Sequence, residues 1–269
     1  MTLRAGYIPS PIDDRDLRLV GDDTALFGAT SLSPPGEHYG LIQHLDFVND
    51  QQTTESCVWN AIQTQHYVAL GHRGVSKRER LSRLFGYWFS RFRHGGQKLD
   101  VGTIPREAWK AAATMGFCKE SLWPFDIARV NDKPDFDAIS GAIDQQWVKG
   151  YYNIYGVKYA RDEEVRMAIS KGHPVVFGSM VNKPFLTYRQ AHQTDALEIP
   201  RENPVGRHMM CGIAYDDLGL WVVNSWGLDW RTADPTWKFP AGFFRMSWDW
   251  VNWSQATDFW AVDYAIDFA

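Results

Sequence analysis

Cysteine is scarce in this chain: three in 269 residues, at Cys57, Cys118 and Cys211. So sparse and odd a set excludes a disulfide framework and leaves room for one bridge at most if a thiol is used for chemistry. It points to a reducing compartment, or to a fold that does without bridges. Long apolar runs are also missing. Nothing approaches about 18 consecutive apolar residues, so neither a membrane-spanning helix nor membrane insertion is expected. The opening Met1-Thr2-Leu3-Arg4-Ala5-Gly6-Tyr7 has no apolar block of the secretory kind, so no signal peptide is expected. Nor is there an excess of one charge: 28 Lys and Arg stand against 32 Asp and Glu, a net −4. No nucleic-acid partner is expected from that balance. The densest basic stretch, Arg73 to Arg80, lacks interleaved aromatics and reads as a solvated helix start. Internal repeats and low-complexity linkers are absent.

Tryptophan, in contrast, is abundant. There are 13, and Trp237, Trp248, Trp250, Trp253 and Trp260 crowd the C-terminal end. The favoured reading is an aromatic core packing loop-rich structure; the alternative is a stacking surface for sugar or protein. With 45% hydrophobic and 22% charged residues the chain is ordinary globular material, long enough for one large domain or two packed subdomains.

Residues 1–45, with Pro9, Pro11, Pro34 and Pro35, read as an extended arm laid over the body. An amphipathic run over 58–70 ending at Gly71 predicts a helix with Cys57 at its N-terminus. Helices are also expected over 78–95, 104–115 and, more weakly, 162–171, the second ended by Gly116 as an αL cap. The period then changes. Short apolar runs at 174–180, 209–215, 219–224 and 243–246 predict strands, with Asp216-Asp217-Leu218-Gly219 as a hairpin turn between the middle two. Helices followed by strands give an α+β chain. Its divisions are expected at 1–45 for the arm, 46–140 for a helical part and 141–269 for a β-rich part.

The chemistry centres on Cys57, His208 and Asn224. In that order they supply a thiol, an imidazole and a side-chain amide, the parts of a cysteine nucleophile with an oriented base. The helix start favours a thiolate at Cys57. Pairing outward from the Asp216–Gly219 turn brings 208 and 224 together, so that the Asn oxygen can fix one ring nitrogen and aim the other. Trp226 could cover that bond. Gln51, six residues before Cys57, is a candidate oxyanion donor together with the Cys57 N–H, and Gln52 competes for the role. His208 and Cys211 stand three apart on a strand and face opposite sides, which does not fit a zinc site, so no metal and no cofactor are expected.

These motifs resemble those of the papain-like cysteine peptidases, in a bacterial or phage branch. The resemblance runs in order through Tyr7-Ile8-Pro9-Ser10-Pro11 with Asp14-Arg15-Asp16, Gln51 to Cys57, Gly116 to Phe125, and Gly172-His173-Pro174-Val175. It continues through His208 to Asp216, Asn224-Ser225-Trp226-Gly227 with Trp230, and Gly242 to Met246. It implies a helical left subdomain packed on an antiparallel β-barrel-like right subdomain, with the active-site cleft between them. It assigns Cys57 as nucleophile, His208 as base then acid, Asn224 as orienter and Gln51 as oxyanion donor. Gly102 and Thr103 would hold the substrate backbone, Thr103 replacing the second glycine of the family's usual pair, and Trp226 would lie beside substrate. Glu55 and Val58 depart from the usual residues around the nucleophile, and the carboxylate of Glu55 would raise the thiol pKa.

No inhibitory propeptide is visible, 45 residues being too few for the family's usual one. The implied activity is endopeptidase hydrolysis of peptide or protein substrates through a thioester. The alternatives are a catalytically silent binding or structural module with an assembly partner in a virion, and a hydrolase of cell-wall peptides. A cytoplasmic or virion-associated location goes with these readings.

Overall fold

The computed structural model describes residues 6–20, 26, 36–156, 160–187, 196–230 and 241–265. Helix α1, Cys57–His72, is buried from Cys57 through Leu70. A helix covered all round is a central element rather than a surface one, and α1 is packed between strand β3, Pro204–Tyr215, and helix α2, Arg83–Arg93. Helix α2 begins five residues later than the apolar pattern suggests. Ser82 caps it, its Oγ accepting from the Phe85 N–H, and the residues before it are extended, Leu81 bridging to Lys119. Helix α3, Pro105–Met115, opens with proline in its first turn. It closes at Gly116, where φ is 76° but ψ is −167°, a conformation open to glycine but not the αL cap expected. A fourth helix, α4 at Phe136–Ile143, was not anticipated; Asp135 caps it by accepting from the Ala138 N–H.

Beyond α4 the chain builds one antiparallel sheet. Its strands are β1 (Val148–Asn153), β2 (Val175–Asn182), β3, β4 (Gly219–Val223), β5 (Phe243–Ser247) and β6 (Ala256–Tyr264), in the spatial order β1-β6-β2-β3-β4-β5. Helix α5, Arg161–Ser170, precedes β2 and packs on β2 and β3. Two short helices, α6 at Lys183–Leu186 and α7 at Trp248–Asn252, follow β2 and β5. Among the six strands of the described residues β1 pairs only with β6 and β5 only with β4, so no ladder joins the two ends. The sheet is therefore open, a correction to the barrel-like expectation. Strands β1 and β6 escaped the apolar pattern because Gly150, Asp258 and Asp263 interrupt them.

The tryptophans are core. Trp59, Trp109, Trp123, Trp230, Trp250 and Trp260 are fully buried; Trp237 lies outside the described residues. Residues 6–20 run over the assembled body as an arm. Leu17 and Leu19 exchange main-chain bonds with Asn153 on β1. Asp16 makes a buried ion pair with Arg106 of α3 and accepts from the Tyr155 hydroxyl at 2.7 Å.

One buried group makes the fold sensitive to acid. His66 of α1 lies fully buried among Trp147 (stacked, 5.5 Å between ring centroids), Phe117 and Tyr264, with neither ring nitrogen hydrogen-bonded. Burial pushes its pKa down from 6.5 to about 3. The unfolded chain takes up this proton first as pH falls, so the stability the neutral ring contributes is lost progressively below about pH 6.5. The urea midpoint is expected to drop between pH 7 and pH 5, and His66→Phe is expected to flatten that drop. An equal slope in the variant would contradict the assignment.

Candidate active site

Cys57 stands at the first position of α1, where the helix leaves its amide N–H without an i−4 carbonyl. The loop before it is fixed by its own polar residues. Thr54 Oγ1 donates to the Gln51 carbonyl at 2.7 Å and lies 2.7 Å from Ser56 Oγ, while Asn60 Nδ2 reaches back to Ser56 Oγ at 2.9 Å. Two main-chain contacts tie this loop to the stretch after β4: the Gln51 N–H donates to the Ser225 carbonyl at 2.9 Å, and the Gly227 N–H to the Asn49 carbonyl at 2.9 Å. The side chains follow suit, Ser225 Oγ donating to Gln51 Oε1 at 2.8 Å.

The β3–β4 hairpin places the base and its orienter. Cys211 pairs with Val223 and Tyr215 with Leu220, and the turn is closed by Asp216, whose Oδ1 accepts from the Leu218 and Gly219 N–H groups. Running outward from this register, His208 Nε2 and Asn224 Oδ1 meet at 2.7 Å. Oδ1 also accepts from the Ser225 N–H at 2.7 Å, which identifies that atom as the oxygen. Nε2 therefore carries the proton, and Nδ1 is left as the basic nitrogen. Nδ1 is buried and has no hydrogen-bond partner among the described residues. The amide of Met209, one residue from His208, lies against the Cys57 sulfur together with those of Gly6 and Val58.

Trp226 stacks on the imidazole with ring centroids 4.3 Å apart and an interplanar angle of 25°. At 4% exposure its surface is turned to the histidine. That fits a cover over the His–Asn bond. Gln51 is fully buried beside the nucleophile loop, and its Nε2 donates to the Thr54 carbonyl at 2.8 Å, which occupies one of its two amide hydrogens. Among the described residues no group of three His, Cys, Asp or Glu could hold a metal ion.

The chain's own arm lies against Cys57, a placement the sequence does not announce. Gly6 and Tyr7 run between the two walls. The Thr103 N–H donates to the Gly6 carbonyl at 2.9 Å, the Ile8 N–H to the Thr103 carbonyl at 3.1 Å, and the Tyr7 N–H to the Arg207 carbonyl at 3.2 Å. Thr103 makes the first two of these main-chain bonds to the arm, while the Gly102 N–H donates to the Tyr87 hydroxyl at 2.9 Å. Close approach is possible because Gly6 has no side chain; a Cβ there would fall 1.9 Å from the Glu55 carbonyl oxygen.

Covered in this way, Cys57 and His208 are both driven neutral. Burial pushes the thiol up to about 12, against the weaker help of the Met209, Gly6 and Val58 amides, and the nearby Glu55 carboxylate adds to the rise as expected. Burial likewise pushes the imidazole down to about 4, against the Asn224 hydrogen bond. The helix start does not by itself yield a thiolate in this state.

The comparisons with known proteins fit this geometry. No family model matches the chain. An uncharacterized peptidase C1-like protein of Acanthamoeba polyphaga mimivirus is 28% identical, over 97% of this chain and 87% of its own length. Among solved structures, xylellain, a cysteine protease from Xylella fastidiosa, superposes with a TM-score of 0.78 at 23% identity, covering 99% of this chain and 100% of that one. Procathepsin B from Trypanosoma congolense gives 0.66 at 13% identity, covering 98% and 87%. Bromelain from Ananas comosus gives 0.62 at 16%, covering 86% and 99%. The fold is that of the papain-like cysteine proteases, as the sequence resemblance implies.

With the arm seated, Cys57 is expected to react slowly with iodoacetamide at neutral pH and to label faster as pH rises past about 9, read by intact mass. A labelling rate already at its plateau at about pH 6 would show a resting thiolate–imidazolium pair and contradict the neutral state.

Proposed function

We propose that the chain is a cysteine peptidase that hydrolyses peptide bonds through a thioester on Cys57. The observation that carries the reading is the 2.7 Å bond from His208 Nε2 to Asn224 Oδ1. It leaves Nδ1 as a base on the residue next to Met209, whose amide touches the Cys57 sulfur. When a substrate replaces the arm, the Cys57 thiol passes its proton to His208 Nδ1 and the sulfur attacks the scissile carbonyl carbon. The oxygen takes up the negative charge near the Cys57 N–H and Gln51 Nε2. As the carbonyl reforms, the C–N bond breaks and the imidazolium gives its proton to the leaving amine. A water molecule, deprotonated by the same nitrogen, then attacks the thioester and releases the acid and the thiol. Asn224 holds the ring in plane through both transfers, and Trp226 keeps water from the Asn–His bond. Thr103 supplies main-chain hydrogen bonds to an extended substrate, as it does to the arm, and Gly102 beside it leaves room for the close approach. Peptides or proteins are the substrate class that this backbone recognition fits.

A second reading, a papain-like module that binds without turnover, is favoured by one observation: Gly6 and Thr103 seal a fully buried, neutral Cys57. The two readings part on substitution. For the peptidase, Cys57→Ala abolishes hydrolysis of a casein-type protein with the fold intact, His208→Ala lowers kcat by about 10²–10⁴-fold, and Asn224→Ala lowers it less, since it removes orientation and leaves the base. Turnover retained in Cys57→Ala contradicts the nucleophile, and a larger loss in Asn224→Ala than in His208→Ala contradicts the orienter. Hydrolysis of wall peptides but not of proteins would keep the chemistry and change the substrate.

A further inference from the structure

Asp100 joins two pieces of chain that the proposed reaction needs at a fixed separation. Its Oδ1 accepts from the Glu55 N–H, two residues before Cys57, at 2.9 Å and from the Tyr87 hydroxyl at 2.7 Å. The Tyr87 oxygen accepts in turn from the Gly102 N–H at 2.9 Å. A hydroxyl has one proton, and Tyr87 gives it to Asp100, so the bonds run in one direction, from Gly102 through Tyr87 to the carboxylate. Hydrogen bonds linked in this way polarise one another, the more so away from water. Tyr87 is fully buried, and Asp100 is half-buried.

The bonds matter because of where they fall. Residues 99–103 lie between α2 and α3, outside any helix or strand. From that irregular stretch the Thr103 main chain bonds to the arm. Helix α2 supplies the fixing points. Tyr87 holds the Gly102 N–H, and Arg91, one turn on, donates from Nη1 to the Leu99 carbonyl. Arg91 is itself fully buried, its guanidinium carbon 3.9 Å from the centroid of the Tyr87 ring, and its Nε donates to the Tyr87 carbonyl at 3.2 Å. The tyrosine is therefore clamped. Gly102 sits so close to the arm that a Cβ there would fall 2.2 Å from the Gly6 carbonyl oxygen. A small movement of Gly102 thus passes directly into the Thr103 contacts.

Resting on the peptidase reading, we propose that Asp100 is a positioning residue of the reaction. One carboxylate oxygen holds the loop that carries Cys57 in register with the stretch that carries Thr103, Tyr87 being the link. It thereby sets the distance between the sulfur and a peptide carbonyl held at Thr103. Holding reacting atoms in place is a large part of catalysis, and a misplacement of about 1 Å can cost about 10²-fold. Asp100 acts through the Glu55 amide and through Tyr87, without touching substrate.

The test uses the full chain and compares two reagents for Cys57. A blocked tripeptidyl vinyl sulfone lies along Thr103; iodoacetamide is too small to reach it. Second-order rates are read by intact mass. Both reagents need the arm to leave, so the ratio of sulfone to iodoacetamide rates cancels any change in arm occupancy. Tyr87→Phe is expected to lower this ratio about three- to tenfold, the worth of one buried hydrogen bond. Asp100→Ala is expected to lower it at least as far. Asp100→Asn keeps an oxygen that accepts from both partners and is expected to restore most of the ratio. Tyr87→Phe combined with Asp100→Ala is expected to fall no further than Asp100→Ala alone, because the linkage is broken once. Should Asp100→Ala not fold, the nearly isosteric Tyr87→Phe carries the test. Unchanged ratios, even with a lowered Tm, reduce the linkage to a structural role and overturn the positioning. A double loss equal to the product of the single losses, or an Asn variant as poor as Ala, overturns the carboxylate as the shared link. In these cases the peptidase reading stands. A sulfone that modifies Cys57 of the unsubstituted chain no faster, relative to iodoacetamide, than it modifies glutathione shows no peptide recognition. That result overturns the peptidase reading and the positioning together.

Discussion

Everything at the candidate site depends on how the loop before α1 is stitched to the stretch after β4. The Gln51 N–H to Ser225 carbonyl and Gly227 N–H to Asn49 carbonyl bonds join two parts of the chain some 170 residues apart in sequence. One carries Cys57, the proposed nucleophile, and the other Asn224, the proposed orienter of the base. With that seam in place, the β3–β4 register brings His208 within diagonal reach of Asn224, and the packing of α1 on β3 brings Cys57 against Met209. Ser225 adds a side-chain bond to Gln51 from the same seam. The histidine tautomer, the position of the oxyanion donor and the location of the thiol thus share one origin.

Two opposed effects act on the thiol, and their magnitudes decide the resting state. A helix N-terminus is worth about 0.3–1 kcal/mol to a nearby anion, and up to about 2 in a partly buried geometry. Removing a charge from water can shift a fully buried group by up to about 3–5 pKa units, with each unit near 1.4 kcal/mol. Burial therefore wins while the arm covers Cys57, and the thiol and imidazole remain neutral together. Exposure of the site by departure of the arm removes most of the opposing cost and leaves the helix start and the imidazole to act. The arm is anchored by Asp16 on Arg106 and Tyr155 and by Tyr7 on Asp258, side chains other than Cys57, His208 and Asn224.

Much of this was legible in the sequence because it rests on local signals. The run after Cys57 announces α1 and stops where Gly71 suggests, within a residue. The Asp216–Gly219 turn fixes the hairpin register, which brings residues 208 and 224 to the same end of the hairpin, within diagonal reach. What stayed hidden depends on tertiary contact. The strand Ala256–Tyr264 alternates poorly because Asp258 serves the Tyr7 hydroxyl rather than the core, so its pattern reads as loop. Residues 78–82 look helical by composition, yet pairing of Leu81 with Lys119 holds them extended. The arm's path through the cleft has no sequence signature beyond Gly6, whose missing side chain matters only once Glu55 is seen beneath it. The place of Trp226 was visible too: its position near Asn224 suggested a cover over the His–Asn bond, and its ring stacks on His208.

The central claim is that Cys57 is an acyl-accepting nucleophile served by His208. It is tested most directly by acid-quenching the full chain during turnover of an activated peptide ester and mapping the acyl mass by peptide digestion. The account predicts a thioester on Cys57 that forms in the native chain, clears on further incubation, and forms far more slowly in His208→Ala. Ester turnover with the acyl group on another residue, or with none on Cys57 at any quench time, would contradict it.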